Sequence, residues 1–92
     1  MIETRTLNGC LAVKAVLPKA NMLLVIGDKG YIMCGLLNLE KARELGQAAA
    51  TVTGVSTFGD ILKAQVVDCT PKAKELGIGE GMLAEQAIEL LK

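Results

Sequence analysis

The stretch CLAVKAVLPKANMLLVIGDKGYIMC, residues 10–34, decides the fold, because it contains three apolar runs that are separated by residues typical of turns. The β-rich run 10–17 precedes residues 22–26, which are continuously apolar and therefore predict a strand covered on both faces. The turn at 27–30 contains two glycines and predicts that residues 31–34 pair back as a hairpin.

Outward from this stretch, the chain adds one strand before it and alternating elements after it. Residues 2–7 alternate weakly, and Asn8-Gly9 is a strong hairpin turn because both residues tolerate positive φ. The later elements are predicted from cap residues, glycine stops and apolar spacing. They are helix 39–45, strand 48–53, helix 58–63, strand 65–69, a helix from Thr70-Pro71 to Gly77, and helix 82–91 with a stripe of Leu83, Ala84, Ala87, Ile88 and Leu91.

These elements predict one α+β domain over residues 1–92. An N-terminal antiparallel strand meander precedes alternating short helices and strands, and the result is a mixed sheet with helices packed on it. The chain is 51% apolar and only 22% charged, which is a large apolar share for 92 residues. We therefore expect a second copy to cover apolar surface, in a homodimer or homotetramer built through strands 1–35.

Charge and composition exclude several classes of partner. Ten basic residues balance ten acidic ones, and the only aromatic residues are Tyr31 and Phe58, so we expect no nucleic acid partner. The longest apolar run, 22–27, is too short to span a membrane, and the first residues do not resemble a signal peptide. Three widely spaced cysteines predict no disulfide framework, which favours the reducing cytoplasm.

Three motifs, in order, resemble the YunC-like family of domains of unknown function. They are GYIMCGLLN at 30–38, GQAAATVTGVSTFGDIL at 46–62 and AKELGIGEGM at 73–82. The resemblance covers most of the chain and implies an α+β fold whose N-terminal strands mediate tetramer formation. It implies no activity. Leu36 stands where the family often has Tyr, and Leu83-Ala84 replaces polar residues expected before the last helix.

Histidine is absent, which removes every Ser-His and Cys-His arrangement and the commonest metal ligand. We predict no metal and no cofactor. Cys34 is the candidate catalytic residue because it ends a strand beside Gly35, shortly before the helix that Asn38 caps. Amides at a helix start stabilise a thiolate. The simpler interpretation is that Cys34 is a small buried apolar residue, as we expect for Cys10 and Cys69.

A second candidate is a site for a small anionic molecule. Gly35 and Asn38 precede one helix, and Gly54 and Thr57 precede another, so backbone amides could face an anion there. Simple helix capping explains Asn38 and Thr57 equally well. Three functions stay open: a homo-oligomeric binding or scaffold module, a thiol-dependent enzyme that uses Cys34, and a binder of small anions. Whether the chain is an enzyme is not decided by its sequence.

Overall fold

The computed structural model describes residues 1–92 as a six-stranded mixed sheet with four helices. Strand order in the sheet follows the order in the chain. The strands are β1 Ile2–Leu7, β2 Cys10–Val16, β3 Asn21–Ile26, β4 Gly30–Cys34, β5 Ala48–Val52 and β6 Asp68–Cys69. The helices are α1 Leu39–Glu44, α2 Phe58–Lys63, α3 Pro71–Glu75 and α4 Ala84–Leu91. The predicted α+β fold is thus confirmed.

The four N-terminal strands form the predicted antiparallel meander. Asn8 and Gly9 join β1 to β2 with φ values of 50° and 85°, which are the positive angles that a two-residue hairpin turn requires. Strand β5 then pairs with β4 in the parallel direction, and α1 makes the crossover between them. Parallel pairing brings the segments that follow β4 and β5 to the same end of the sheet.

The main core lies on one side of the sheet, which we call the inner face. Helices α2 and α4 cover this face with Phe58, Ile61, Ala87, Ile88 and Leu91, all buried. The strand residues beneath them are also buried and include Ala12, Leu23, Val25, Ile32, Ala50 and Val52. None of the four helices has the length and apolar character that a membrane span requires.

The opposite side, which we call the outer face, is covered only in part. Helix α1 packs there, and Ala42 forms a small buried cluster with Met33 of β4 and Ala49 of β5. Leu24 of β3 packs against this cluster from the side, and no helix lies over the outer face of β1 and β2. The expectation that strand 22–26 is covered on both faces is therefore met on the inner face, where Leu23 and Val25 are buried, and only in part on the outer face, where Ile26 is 39% exposed.

Two predicted boundaries were wrong in the last third of the chain. Strand 65–69 shrinks to two residues, because Val66 exchanges backbone hydrogen bonds with Gly81 and Met82 instead of joining the sheet. Helix α4 begins at Ala84, and the residue before it, Leu83, has no side-chain cap bond and is 36% exposed. Leu83 therefore does not belong to the buried stripe that the sequence predicts.

Candidate functional site

Strands β3 and β4 separate next to Cys34. Their ladder stops at the pair Leu24 and Met33, so Leu23 and Cys34 are not paired as strand residues. The backbone N–H of Leu23 instead donates to the Cys34 sulfur at 3.3 Å. The carbonyl of Cys34 accepts from the N–H of Leu37, which turns the chain away from the sheet. The Cys34 thiol thus occupies the opening between the two strands.

A pocket of about 310 Å³ lies at this opening. Its lining combines the start of β3, the end of β4 and the loop after β5. The residues are Ala20, Asn21, Cys34, Gly35, Leu36, Thr53, Gly54, Val55 and Ser56. Parallel pairing of Cys34 with Val52 explains why this loop meets the end of β4. The structure therefore brings together three of the predicted site residues, Cys34, Gly35 and Gly54, although Cys34 itself is only 4% exposed.

Thr57 does not line that pocket, because its groups close the start of α2. Its hydroxyl accepts from the N–H of Asp60 at 3.1 Å, and the Asp60 carboxylate accepts from the N–H groups of Ser56 and Thr57 at 3.0 and 3.1 Å. These two amides, from Ser56 first, hold the pKa of the Asp60 carboxyl below its usual value. The protein's own carboxylate thus occupies the amides that an anion would need at Thr57.

Asn38 caps α1 on the other side of the sheet. Its side-chain oxygen accepts from the N–H of Glu40 at 2.9 Å, as the sequence predicts for a cap residue. It lines a mostly apolar groove of about 480 Å³ between α1 and the outer face, together with Leu24, Ile26 and Leu45. Asn38 and Cys34 therefore do not share a pocket. They are close in the sequence but lie on different sides of the sheet, because the chain turns at residues 35–37.

The other two cysteines are buried, as predicted. Burial raises the pKa of the Cys10 thiol, and Glu89 and Asp28 act in the same direction while Lys92 opposes them. Burial likewise raises the pKa of the Cys69 thiol. Both thiols are thereby kept in the protonated, less nucleophilic form.

A further depression, of about 450 Å³, carries charges that the sequence did not single out. Asp28 and Lys29 come from the turn between β3 and β4, whereas Lys72 and Glu75 come from α3. At its side the Tyr31 hydroxyl donates to the Gln47 side-chain oxygen at 2.6 Å. Because these residues come from three separate segments, no spacing in the sequence could indicate that they meet.

The outer face of β1, β2 and β3 has an unusual composition. By alternation and register its nine positions are Ile2, Thr4, Thr6, Leu11, Val13, Ala15, Met22, Leu24 and Ile26, and none is charged. The charged residues of these strands, Glu3, Arg5 and Lys14, all lie on the opposite face. There Lys14 forms an ion pair with Glu3 at 3.3 Å, and the Arg5 guanidinium lies 5.0 Å from the centre of the Phe58 ring.

Comparison with known proteins gives relatives whose roles are not known. The sequence pattern of a family described as "Domain of unknown function (DUF1805)" matches residues 33–91. The uncharacterized protein YunC of Bacillus subtilis is 41% identical in an alignment of 81 positions, which covers 84% of this chain and 80% of that protein. The crystal structure of a protein of unknown function from Thermoplasma acidophilum superposes on this chain with a TM-score of 0.90 and 35% sequence identity. The superposition covers 100% of this chain and 92% of the chain from Thermoplasma acidophilum.

Proposed function

Since the chain belongs to the DUF1805 family of domains of unknown function, we propose that it acts as a homo-oligomeric binding or scaffold module. In this proposal the outer face of β1, β2 and β3 packs against the same face of a second copy. Its setting is the cytoplasm, where three cysteines without a disulfide are stable. No substrate or pathway is part of this proposal.

The observation that carries the proposal is the uncharged outer face. Leu11 is 50% exposed and Ile26 39%, and they are direct neighbours across β2 and β3. Apolar side chains that line up on an uncovered sheet face are typical of an interface. Because no charged group lies among them, two copies of this face can pack together without removing a charge from water. A two-fold axis suits such a patch, since the same residues then meet on both sides.

Light scattering on the purified protein tests this assembly. A mass of two or four times 9.7 kDa at micromolar concentration is the expected result, and a mass of 9.7 kDa contradicts the proposal. Leu11→Glu should lower the mass, because it introduces a charge at the proposed interface. Val67→Glu is the matched control, since Val67 is 52% exposed and lies outside β1, β2 and β3. Equal masses for the two variants would also contradict the proposal.

Thiol chemistry at Cys34 is a second candidate function, and one contact favours it. The N–H of Leu23 donates to the Cys34 sulfur at 3.3 Å, and this thiol lines the pocket at the end of β4. Neither Cys10 nor Cys69 accepts such a bond, although Cys10 also lines a depression, of about 350 Å³. Iodoacetamide should therefore label Cys34 of the native protein faster than Cys10. Labelling of Cys34 only after denaturation would make it a packing residue.

Binding of a small anionic molecule at Gly35, Asn38, Gly54 and Thr57 is the third candidate and has the least support. Asn38 and Thr57 are engaged in capping, and Asp60 already accepts from the amide of Thr57. A thermal-shift series with inorganic phosphate and phosphorylated metabolites tests this candidate. A rise in melting temperature that Gly54→Ala removes would support it.

A further inference from the structure

The depression of about 450 Å³ beside Tyr31, which we call the charged depression, lies within the size range of small-molecule pockets, about 300–1,000 Å³. One wall is the turn between β3 and β4, which carries Asp28 and Lys29. Another wall is α3, which carries Lys72 and Glu75. The lining therefore combines two positive and two negative charges that come from separate segments.

The two charges of the turn have no partner within the chain. The Asp28 carboxylate and the Lys29 ammonium group form no ion pair and no side-chain hydrogen bond. Lys72 and Glu75 pair only with each other, at 3.6 Å, and both are exposed. Because an exposed pair of this kind contributes little to stability, both of its groups can turn to a ligand at small cost.

The backbone of the turn is held in place by two hydrogen bonds. The N–H of Gly27 donates to the Gly30 carbonyl, and the N–H of Lys29 donates to the Leu91 carbonyl, both at 2.8 Å. Gly27 lies so close to α4 that an added Cβ would be 2.2 Å from the Leu91 carbonyl oxygen. A wall that is already fixed loses little conformational freedom when a ligand binds.

Gln47 adds polar donors at the side of the charged depression. The Tyr31 hydroxyl donates to its side-chain oxygen at 2.6 Å, and its side-chain N–H groups have no partner in the chain. The Gln47 backbone is fixed as well, because its N–H donates to the Ala42 carbonyl and its carbonyl accepts from the Thr70 hydroxyl. Tyr31 therefore orients the Gln47 amide and leaves two donors for a ligand.

We propose that the charged depression binds a small zwitterion, either a free α-amino acid or a dipeptide. The ammonium group of this ligand donates to the carboxylates of Asp28 and Glu75. Its carboxylate accepts from the ammonium groups of Lys29 and Lys72 and from the side-chain amide of Gln47. An ammonium group has three donors and a carboxylate about four acceptor sites, so each end of the ligand can use several partners.

The balance of charges selects this class of ligand. A ligand with a single charge would meet two opposite charges but would also lie near two charges of its own sign, which repel it. A zwitterion meets opposite charges at both of its ends. The apolar part of the lining includes Ile26 and Leu76, which favours an apolar side chain such as that of leucine. Only Ile26 belongs to the outer face, so this inference does not rest on the proposed assembly.

An NMR titration of the isotope-labelled protein tests the ligand class. L-leucine should shift the backbone amide signals of Asp28, Lys29, Gln47 and Lys72 in a saturable way. N-acetyl-L-leucine lacks the ammonium group and L-leucinamide lacks the carboxylate. Each should therefore bind more weakly than L-leucine by about tenfold or more, because bonds to a charged group are lost. L-leucylglycine separates the two sources, since it should bind more tightly than L-leucine if the ligand is a dipeptide and more weakly if it is a free amino acid.

Two charge variants test the orientation of the ligand. Lys72→Gln should weaken the binding of L-leucine and N-acetyl-L-leucine but not of L-leucinamide, because it removes a partner of the carboxylate. Asp28→Asn should weaken the binding of L-leucine and L-leucinamide but not of N-acetyl-L-leucine. Lys74→Gln is the matched control, since Lys74 is exposed on the same helix, lies outside the depression and forms no ion pair. Thermal unfolding of all three variants should match that of the wild type, because the positions are exposed.

Three results overturn the zwitterion site. The first is the absence of shifts at these amides with both L-leucine and L-leucylglycine at millimolar concentration. The second is equal affinity for L-leucine and its two blocked derivatives. The third is equal binding of L-leucine by Lys72→Gln, Asp28→Asn and Lys74→Gln. A monomeric protein that binds L-leucine in the expected way contradicts the proposed assembly and leaves this inference intact.

Discussion

The backbone N–H of Leu23 donates to the side-chain sulfur of Cys34, and not to its carbonyl, at 3.3 Å. The strand ladder would continue at this pair if the carbonyl were used. Because the sulfur takes its place, β3 and β4 separate and the pocket beside residues 53–56 opens. One side-chain contact therefore connects the end of the β3–β4 ladder to the shape of the candidate site.

Replacement of Cys34 by Ala should destabilise the protein more than replacement of Cys10 by Ala. Both side chains are 4% exposed, so similar apolar burial is lost at each site. Only Cys34→Ala leaves a buried N–H, that of Leu23, without its acceptor, which adds about 1 kcal/mol to the cost. Urea unfolding of the two variants measures the difference. Equal midpoints would show that the contact contributes nothing to stability.

Acid should destabilise the protein through Asp60 and Asp68. Amides of Ser56 and Thr57 lower the pKa of the Asp60 carboxyl, and the hydrogen bond from Arg43 lowers that of Asp68. In both carboxyls the pKa of the folded state lies below the value of 3.8 for the unfolded chain, so each carboxyl stabilises the folded state fully at pH values above 3.8. Their contribution is lost as the pH falls through the folded pKa, so the free energy of unfolding should decrease from roughly pH 5 downward.

Two amide variants identify the carboxyl responsible for the acid response. Asp60→Asn cannot titrate and should flatten the loss of stability with falling pH. Glu80→Gln is the control, because Glu80 is exposed and forms no ion pair or hydrogen bond. Its unfolding curve should follow that of the wild type at each pH. An unchanged acid slope in Asp60→Asn would assign the effect to other groups.

Local signals predicted the elements well, because their causes lie within a few residues. The Asn8-Gly9 turn and the Thr57 helix cap both formed where the sequence predicts them. Three features depend on distant segments and were not predictable: the parallel pairing of β4 with β5, the meeting of Cys34 with residues 53–56, and the charge-free outer face. The outer face depends on register, since a shift by one residue moves every side chain to the other side.

The helix α4 illustrates the same limit and yields a third prediction. Apolar spacing alone placed Leu83 with Ile88, yet Ile88 is fully buried and Leu83 is 36% exposed. Ile88→Ala should cost about 2–5 kcal/mol, because it leaves a cavity between α4 and the sheet. Leu83→Ala should cost less than Ile88→Ala, since Leu83 is already 36% exposed and its side chain gives up less apolar burial. Thermal or urea unfolding compares them, and a larger loss for Leu83→Ala would contradict the packing described above.

Thr70 joins β5 to α3 through a single hydroxyl. The side chain is 1% exposed. Its hydroxyl donates to the Gln47 carbonyl at 2.7 Å and accepts from the N–H groups of Ala49 and Ala73 at 3.0 and 3.3 Å. The first two bonds hold the start of β5, and the third caps α3.

Thr70→Val keeps the shape of the side chain and removes all three bonds. It should lower the free energy of unfolding by about 2–4 kcal/mol, because the buried amide of Ala49 and the part-buried carbonyl of Gln47 lose their partner and α3 loses its cap. Thr70→Ser is the matched variant, since it keeps the hydroxyl and loses one methyl group, at a cost of about 1 kcal/mol. Urea unfolding ranks the two, and hydrogen exchange at the Ala49 amide should accelerate only in Thr70→Val. If Thr70→Val proves as stable as Thr70→Ser, apolar packing and not the hydroxyl holds β5 and α3 together.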